Sequence, residues 1–410
     1  MLLVEDRVAE SAVAVDDAVA NQWSCPSCAS ADAFDFFHIP RLPKFIGNLY
    51  SSPESARNAP TGSVTLTWCP DCGLAWNRAP ERESLHFEPG FEVQLGHSPT
   101  FRSFLTSLAD RLVTKFHLYG KEVVDVGCGA GVFLQQLCER GGNSGLGIDP
   151  TLRKEREISL SRGRMRLVRT DLGATEIAWR GDFAVCQSVL EVVPNPIQFM
   201  QDIGRLVKRR GGRMYLEVFN AARMLQAGET WSVAFELRNY FVLEAFVNAA
   251  RRAGLRVLEA GHCYQEDQYL YIEAEPQPAA ARRHQPLVAD AHQRDSIADF
   301  ARLHQEKVAA WWQRVDQWRA QKARAVVWGS GGKGISFLNT IDAPDLFQAV
   351  VDINPARQEK FLGGTGQAIV PPAWLVDHRP DFVVITNPVY EREIRSTVAA
   401  LGLACEFLMI

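Results

Sequence analysis

Val123-Val124-Asp125-Val126-Gly127-Cys128-Gly129-Ala130-Gly131 is the stretch on which the reading of this chain turns. A short apolar run from Glu122 to Val126 has the length of a buried strand, and a GxGxG turn ends it. Helical spacing begins at Val132 and continues to Leu137. Glycines at these positions allow torsions and a close main-chain approach that a Cβ would block. A ligand can therefore lie against the turn at the strand's carboxyl end. Eighteen residues beyond Gly131, Gly147-Ile148-Asp149 puts a carboxylate at the end of the next strand, where it can accept both hydroxyls of a ribose. The combination predicts a nucleoside pocket.

The same grammar extends in both directions. Upstream, Phe101, Phe104, Leu105, Leu108 and Leu112 recur at helical spacing until Gly120 breaks the pattern. Downstream, strand candidates alternate with helical segments: Ser144 to Ile148, Arg166 to Val168, Phe183 to Gln187, Arg213 to Val218, Arg256 to Ala260 and Gln268 to Glu273. With Glu122 to Val126 these make seven strands, which suits a doubly wound α/β sheet. From 285 to 322 a polar stretch carries Ile297, Phe300, Val308, Trp311, Trp312, Val315 and Trp318, the pattern of a long amphipathic helix whose aromatic stripe packs between domains. A second α/β unit opens at Ala325-Val326-Val327-Trp328.

Ahead of the sheet stand Cys25-Pro-Ser-Cys28 and Cys69-Pro-Asp-Cys72-Gly. A two-residue spacer lets both thiolates of a knuckle face one ion, and two such pairs complete a tetrahedral shell. Cys25, Cys28, Cys69 and Cys72 are thus expected to hold a structural zinc with no position left open for substrate; four unrelated buried cysteines or a redox pair are the alternatives. Nine cysteines in 410 residues fall short of disulfide-scaffold density and imply a reducing, cytoplasmic setting. The expected organisation is a leader (1–22), a zinc ribbon (23–80), a catalytic core (81–280), a helical linker (281–322) and a C-terminal α/β domain (323–410).

Composition narrows the partners. The 44 basic and 48 acidic residues are mixed along the chain for a net charge of −4, which leaves no basic footprint for nucleic acid. The leader has neither the basic start nor the apolar run of a signal peptide, and no apolar run is long enough to span a membrane. A small-molecule substrate is the expected partner, and the oligomeric state is left open.

GxGxG with a matched acid resembles motif I of the class I S-adenosylmethionine (SAM)-dependent methyltransferases, where a dinucleotide site would show GxGxxG. The resemblance implies a Rossmann-like core of seven strands. It also implies that Gly127 and Gly129 contact the methionine part, Asp149 the ribose and Asp171 the adenine amino group, with Asp125, Phe133, Gln187 and Ser98 completing the cofactor-binding candidates. Over almost the whole chain, the order of zinc ribbon, SAM core and glycine-turn C-terminal module resembles deoxysugar C-methyltransferases. That match includes Gly329-Ser330-Gly331-Gly332-Lys333-Gly334, Val351-Asp352-Ile353-Asn354-Pro355, Phe361 to Gly366 and Asn387-Pro388-Val389-Tyr390. The second glycine turn could mark a dinucleotide site, but in the relatives this module packs on the catalytic domain and is thought to help hold substrate.

One departure bears on mechanism. Where those relatives carry a YHEH-like segment, this chain reads Ala234-Phe235-Glu236-Leu237, and their LEH is Leu190-Glu191-Val192. With both histidines missing, Glu236 is the first base candidate, followed by Glu191, Glu217 and Tyr240; each could equally be an ordinary hydrogen-bonded structural residue. Two function classes stay open. One is a SAM-dependent methyltransferase of a small biosynthetic intermediate, nucleotide-sugar-like or an N- or O-methylated natural product. The other is a SAM-binding protein that no longer transfers methyl groups.

Overall fold

A short, mostly β module comes first. β1 (Phe34–Pro43), helix α1 (Pro53–Arg57), β2 (Thr61–Trp68) and β3 (Ala75–Asn77) follow one another. β1 and β2 pair antiparallel from Phe34 opposite Trp68 to Pro43 opposite Thr61. The computed structural model describes residues 24–79, 87, 91, 95–172, 179–208, 210–277 and 291–410. The expected leader 1–22 lies outside the described residues, as do 281–290 of the expected linker.

The central unit then runs α2 (Pro99–Lys115), β4 (Glu122–Val126), α3 (Val132–Gly141), β5 (Ser144–Ile148), β6 (Arg156–Ser159), β7 (Arg164–Val168), β8 (Phe183–Gln187), α4 (Pro196–Arg205), β9 (Arg213–Phe219), α5 (Ala221–Ala227), β10 (Asn239–Tyr240), α6 (Leu243–Arg252), β11 (Leu255–Cys263) and β12 (Tyr269–Pro276). Its sheet has the order β11-β12-β9-β8-β4-β5-β7-β6. The strands from β7 to β9 are parallel, while β12 lies antiparallel between β9 and β11. All seven expected strands are present. The eighth, β6, is an antiparallel edge strand whose Arg-Glu-Ile-Ser sequence holds a single apolar residue, so hydrophobic periodicity had nothing to register. Both faces are covered: Val123, Val185 and Tyr215 pack with α2 and α3, and Val124, Cys186 and Leu216 pack toward α4 and α6.

β10 does not join this sheet. It pairs with β3, Asn239 opposite Trp76 and Tyr240 opposite Ala75, and so supplies the fourth strand of the N-terminal sheet. The expected boundary at residue 80 is therefore crossed by a sheet.

α7 (Ala291–Ala320) links the parts. Its Phe300 ring meets Phe36 and Phe37 at 5.7 and 4.9 Å, and farther along Trp311 and Trp318 pack on Phe337 and Phe347 at 4.8 and 6.4 Å. The C-terminal unit comprises β13 (Ala325–Trp328), α8 (Gly332–Ile341), β14 (Phe347–Val351), β15 (Ala368–Val370), α9 (Leu375–His378), β16 (Phe382–Ile385), α10 (Glu391–Ala400) and β17 (Glu406–Met409). Its sheet is parallel throughout, ordered β15-β14-β13-β16-β17. Among the described residues no helix is long and apolar enough to cross a membrane.

Candidate functional site

The chain order of the central sheet reverses at β4, which has β5 on one side and β8 on the other, and such a reversal opens a crevice at the carboxyl ends of the strands. The turn leaving β4 lines it. Gly127, Gly129 and Gly131 have φ of +77°, +52° and +82°. A Cβ on Gly127 would stand 2.1 Å from Cγ2 of Val189. The Gly127 amide donates to the Ile148 carbonyl at 2.8 Å, which closes the turn against β5. Asp149 accepts from the Gly129 amide at 2.8 Å through one oxygen, and from the Thr151 amide and hydroxyl at 2.8 and 2.6 Å through the other. Asp149 thus shapes the glycine turn from the next strand.

Asp125 is placed differently. It is 4% exposed, and among the described residues no donor reaches its carboxylate. Burial, with the Asp149 charge adding to it, pushes the carboxyl up to about 8. A buried acid without a donor is costly unless a cation meets it, and the α-ammonium of SAM at the carboxyl end of β4 is a group of that kind. The open glycine turn, Asp125 and Asp149 fit such a cofactor.

Three glutamates expected as bases occupy unlike surroundings. Glu217 accepts from the Tyr215 hydroxyl at 2.7 Å and from Gln187 Nε2 at 3.1 Å; burial raises its pKa while these bonds and Arg111 oppose the rise. Gln187 is thereby committed to Glu217. Glu191 accepts from the Phe219 amide at 2.6 Å through Oε1, whereas its Oε2 is buried and unpartnered. Burial outweighs that amide and pushes Glu191 up to about 7. Its loop is clamped by Asn239, whose side chain donates to the Leu190 and Val193 carbonyls at 2.8 Å each. Glu236, the first candidate from the sequence, faces elsewhere. It accepts from the Ile46 amide of the N-terminal module at 3.0 Å, and the charge of Arg357 in the C-terminal unit favours its ionised form; burial still pushes it up to about 8. Tyr240 is buried in the N-terminal sheet, with its hydroxyl 3.3 Å from the Ala234 carbonyl it donates to.

The remaining candidates scatter. Ser98 caps α2, accepting from the Phe101 amide at 3.2 Å, and donates to Glu393 of the C-terminal unit at 2.8 Å. Phe133 is buried in the core between α2 and α3. Asp171 is exposed beyond the end of β7. Sequence reasoning passed over Tyr264, Tyr269 and Tyr390, which meet beside the β11–β12 hairpin. They lie 126 residues apart at the extremes, so no local pattern joins them.

The four knuckle cysteines converge. Their sulfurs all lie within 4.8 Å of one another, Cys25 to Cys72 and Cys28 to Cys69 at 3.5 Å. Each pair is held by a tight turn, the Ala29 amide donating to the Cys25 carbonyl and the Gly73 amide to the Cys69 carbonyl, both at 2.8 Å. Four sulfurs at this spacing fit a tetrahedral zinc shell.

Comparison with known proteins agrees with this layout. Residues 100–260 match the family described as methyltransferase domain, and residues 277–405 match that described as C-methyltransferase C-terminal domain. A ubiquinone biosynthesis O-methyltransferase of Pseudomonas aeruginosa is 34% identical over 109 residues, 25% of this chain and 46% of that protein. The corresponding protein of Cupriavidus pinatubonensis is 27% identical over 157 residues, 35% of this chain and 63% of that one. The chain thus spans about half the length of the curated relatives it matches. Among solved structures, magnesium protoporphyrin IX methyltransferase of Synechocystis PCC 6803 with bound SAM aligns at 18% identity and a TM-score of 0.34, covering 45% of this chain and 86% of that one.

Proposed function

We propose that this chain, which carries a class I methyltransferase domain followed by a C-methyltransferase C-terminal domain, is a SAM-dependent methyltransferase acting on a small molecule. The observation that carries the reading is Asp125, a buried carboxylate without a donor beside a glycine turn at the sheet's reversal point. Asp125 holds the cofactor's α-ammonium, the turn from Gly127 to Gly131 accommodates its chain, and Asp149, with lone pairs left beside Gly129 and Thr151, takes the ribose hydroxyls. SAM, when bound, supplies a methyl group on a positively charged sulfur.

Glu191 is the base in this reading, in place of Glu236. Its Oε2 is free, its Oε1 is fixed, and a carboxyl held at about 7 gives up and takes protons near neutrality. Glu191 Oε2 takes the proton that the acceptor sheds when the methyl group passes to it and the methyl–sulfur bond breaks, its electron pair staying on the sulfur. A base so placed suits a carbon or hydroxyl acceptor, which must shed a proton. Because only the ionised carboxylate accepts, turnover rises with pH through about 7. Cys25, Cys28, Cys69 and Cys72 hold a structural zinc that keeps the N-terminal module folded, and metal analysis of the purified chain should return one zinc per chain. The free cysteines are consistent with a reducing cytoplasm.

Calorimetric titration with S-adenosylhomocysteine (SAH) tests the reading without knowledge of the acceptor. Asp125 is protonated at pH 7 in the free protein, since its pKa lies near 8, and ionises when the ligand's ammonium arrives. Binding should therefore release a proton, and the measured heat should change with the buffer's ionisation enthalpy. Absence of SAH binding by the wild-type chain overturns the proposal.

A further inference from the structure

Three tyrosines meet where the β11–β12 hairpin touches the C-terminal unit, and the local backbone is unusual. Tyr264 has φ +63° and ψ 158°, a region that costs any residue bearing a Cβ, and Glu266 and Asp267 follow with φ of +52° and +57°. Such torsions persist only where the surroundings hold them. Here the Tyr264 ring is packed by Phe101 at 5.4 Å, Phe104 at 4.8 Å and Tyr269 at 5.6 Å. Asn220 fastens the turn, its backbone amide donating to the Gln268 carbonyl and its side chain to the Asp267 carbonyl, both at 2.9 Å. Gln268 Nε2 then donates to Asn387 Oδ1 at 3.0 Å, which brings the Pro388–Tyr390 turn of the C-terminal unit against the hairpin.

Two features of this seam point to a ligand. The Tyr264 and Tyr390 hydroxyls are both buried and lie close to each other, yet neither makes a well-formed hydrogen bond to any described group. Buried polar groups are almost always satisfied, so a pair left dry at a strained turn calls for an oxygen or nitrogen from outside the chain. The seam also adjoins the proposed base: Tyr269 stands opposite Phe219 in the ladder, and the Phe219 amide holds Glu191.

We propose that Tyr264 and Tyr390 form an acceptor-binding subsite shared by the core and the C-terminal unit, donating hydrogen bonds to an uncharged carbonyl or hydroxyl oxygen of a planar small molecule. This rests on the methyltransferase reading above. The aromatic walls favour a planar ligand. The charges at the seam are chiefly acidic, Glu191 and Glu217 from the core, Glu266 and Asp267 in the turn and Glu393 from α10, the last held by Ser98 and Thr100; the cations Arg111 and Arg223 are paired, Arg111 with Glu273 and Arg223 with Glu229 and Glu266. Acidic surroundings repel a carboxylate or phosphate and leave a neutral oxygen as the acceptor of these phenols. Burial raises both phenols above the ordinary range, Tyr390 adding to the effect on Tyr264, so they stay protonated and serve as donors.

The test uses the full chain saturated with SAH and two probes of equal shape, acetophenone and benzoate, followed by ligand-observed saturation-transfer NMR. Acetophenone should bind and benzoate should not. Tyr264→Phe and Tyr390→Phe should each weaken acetophenone binding about two- to tenfold, the loss of one neutral hydrogen bond. Both variants keep the ring, and a melting temperature matching wild type shows that the seam is intact. Failure of acetophenone to bind, equal affinity in wild type and both variants, or benzoate binding as tightly overturns the subsite. SAH affinity in the same samples separates this from failure of the parent reading: SAH bound with acetophenone indifferent to the tyrosines removes the subsite alone.

Discussion

The chain contains two strand–glycine turn–helix units, each with an acid about eighteen residues downstream, and the structure uses them in opposite ways. In the first, all three glycines of the turn adopt positive φ, and Asp149 holds the turn open from its side. In the second, Gly329 alone has positive φ, at +110°, while Gly331 sits at −75°. There Asp352 accepts from the Ser330 amide at 3.1 Å and from its hydroxyl, and Arg357 lies across the turn, donating to Ser330 Oγ and the Ser330 carbonyl at 2.7 Å each. Arg357 also reaches the Ile46 carbonyl at 3.2 Å, and Lys333 pairs with Glu229 at 2.8 Å. The donors that a phosphate would need are spent on holding three parts of the chain together. A glycine motif states what the backbone can do, and the residues that come to rest on it decide whether a ligand can use that freedom.

Four changes would break or sharpen this contrast. The largest effect belongs to the base proposed at the carboxyl ends of β8 and β9, beside the open turn. Glu191→Gln should lower turnover by roughly 10²- to 10⁴-fold and abolish the rise in rate through about pH 7, with SAH affinity unchanged. Equal rates in steady-state assays would remove Glu191 from the mechanism. Next, Gly127→Ala places a Cβ against Val189 at a left-handed torsion and should weaken SAH binding at least about tenfold by calorimetry. An unchanged dissociation constant would mean that the first turn is no more a binding site than the second. Arg357→Met should lower unfolding free energy by about 1–3 kcal/mol in denaturant titrations, since it strands the Ser330 and Ile46 carbonyls, and should leave SAH binding alone. A loss of SAH affinity there would join the two turns functionally. Gly331→Ala should do least. Its torsion suits any residue and a Cβ would meet nothing within 4 Å, so both stability and SAH affinity should match wild type.

Much of the framework could be read from residue order because it is written in local pattern. The strand, turn and acid from Glu122 to Asp149 lie within one βαβ unit, and the knuckles announce themselves by spacing. What escaped the sequence depends on distant partners. Glu191 and Glu236 are both glutamates in apolar company, and only the Phe219 amide on one and the Ile46 amide on the other distinguish a residue at the crevice from one in a seam. Ser98 looked available until Glu393, 295 positions later, took its hydroxyl. β6 went unseen because an exposed edge strand needs no apolar alternation.

The two-residue strand β10 also sets a schedule for synthesis. The N-terminal sheet cannot close as its first residues leave the ribosome: Asn77 waits 158 residues for the Phe235 carbonyl that its side chain binds, and Trp76 waits for Asn239. Until then the apolar faces of β2 and β3 have no lasting cover, and the cysteine cluster is the means at hand to hold them in register. The proposed zinc site is thus complete while the sheet is still open, and zinc supplied during translation should raise the yield of folded chain more than zinc added to the finished protein.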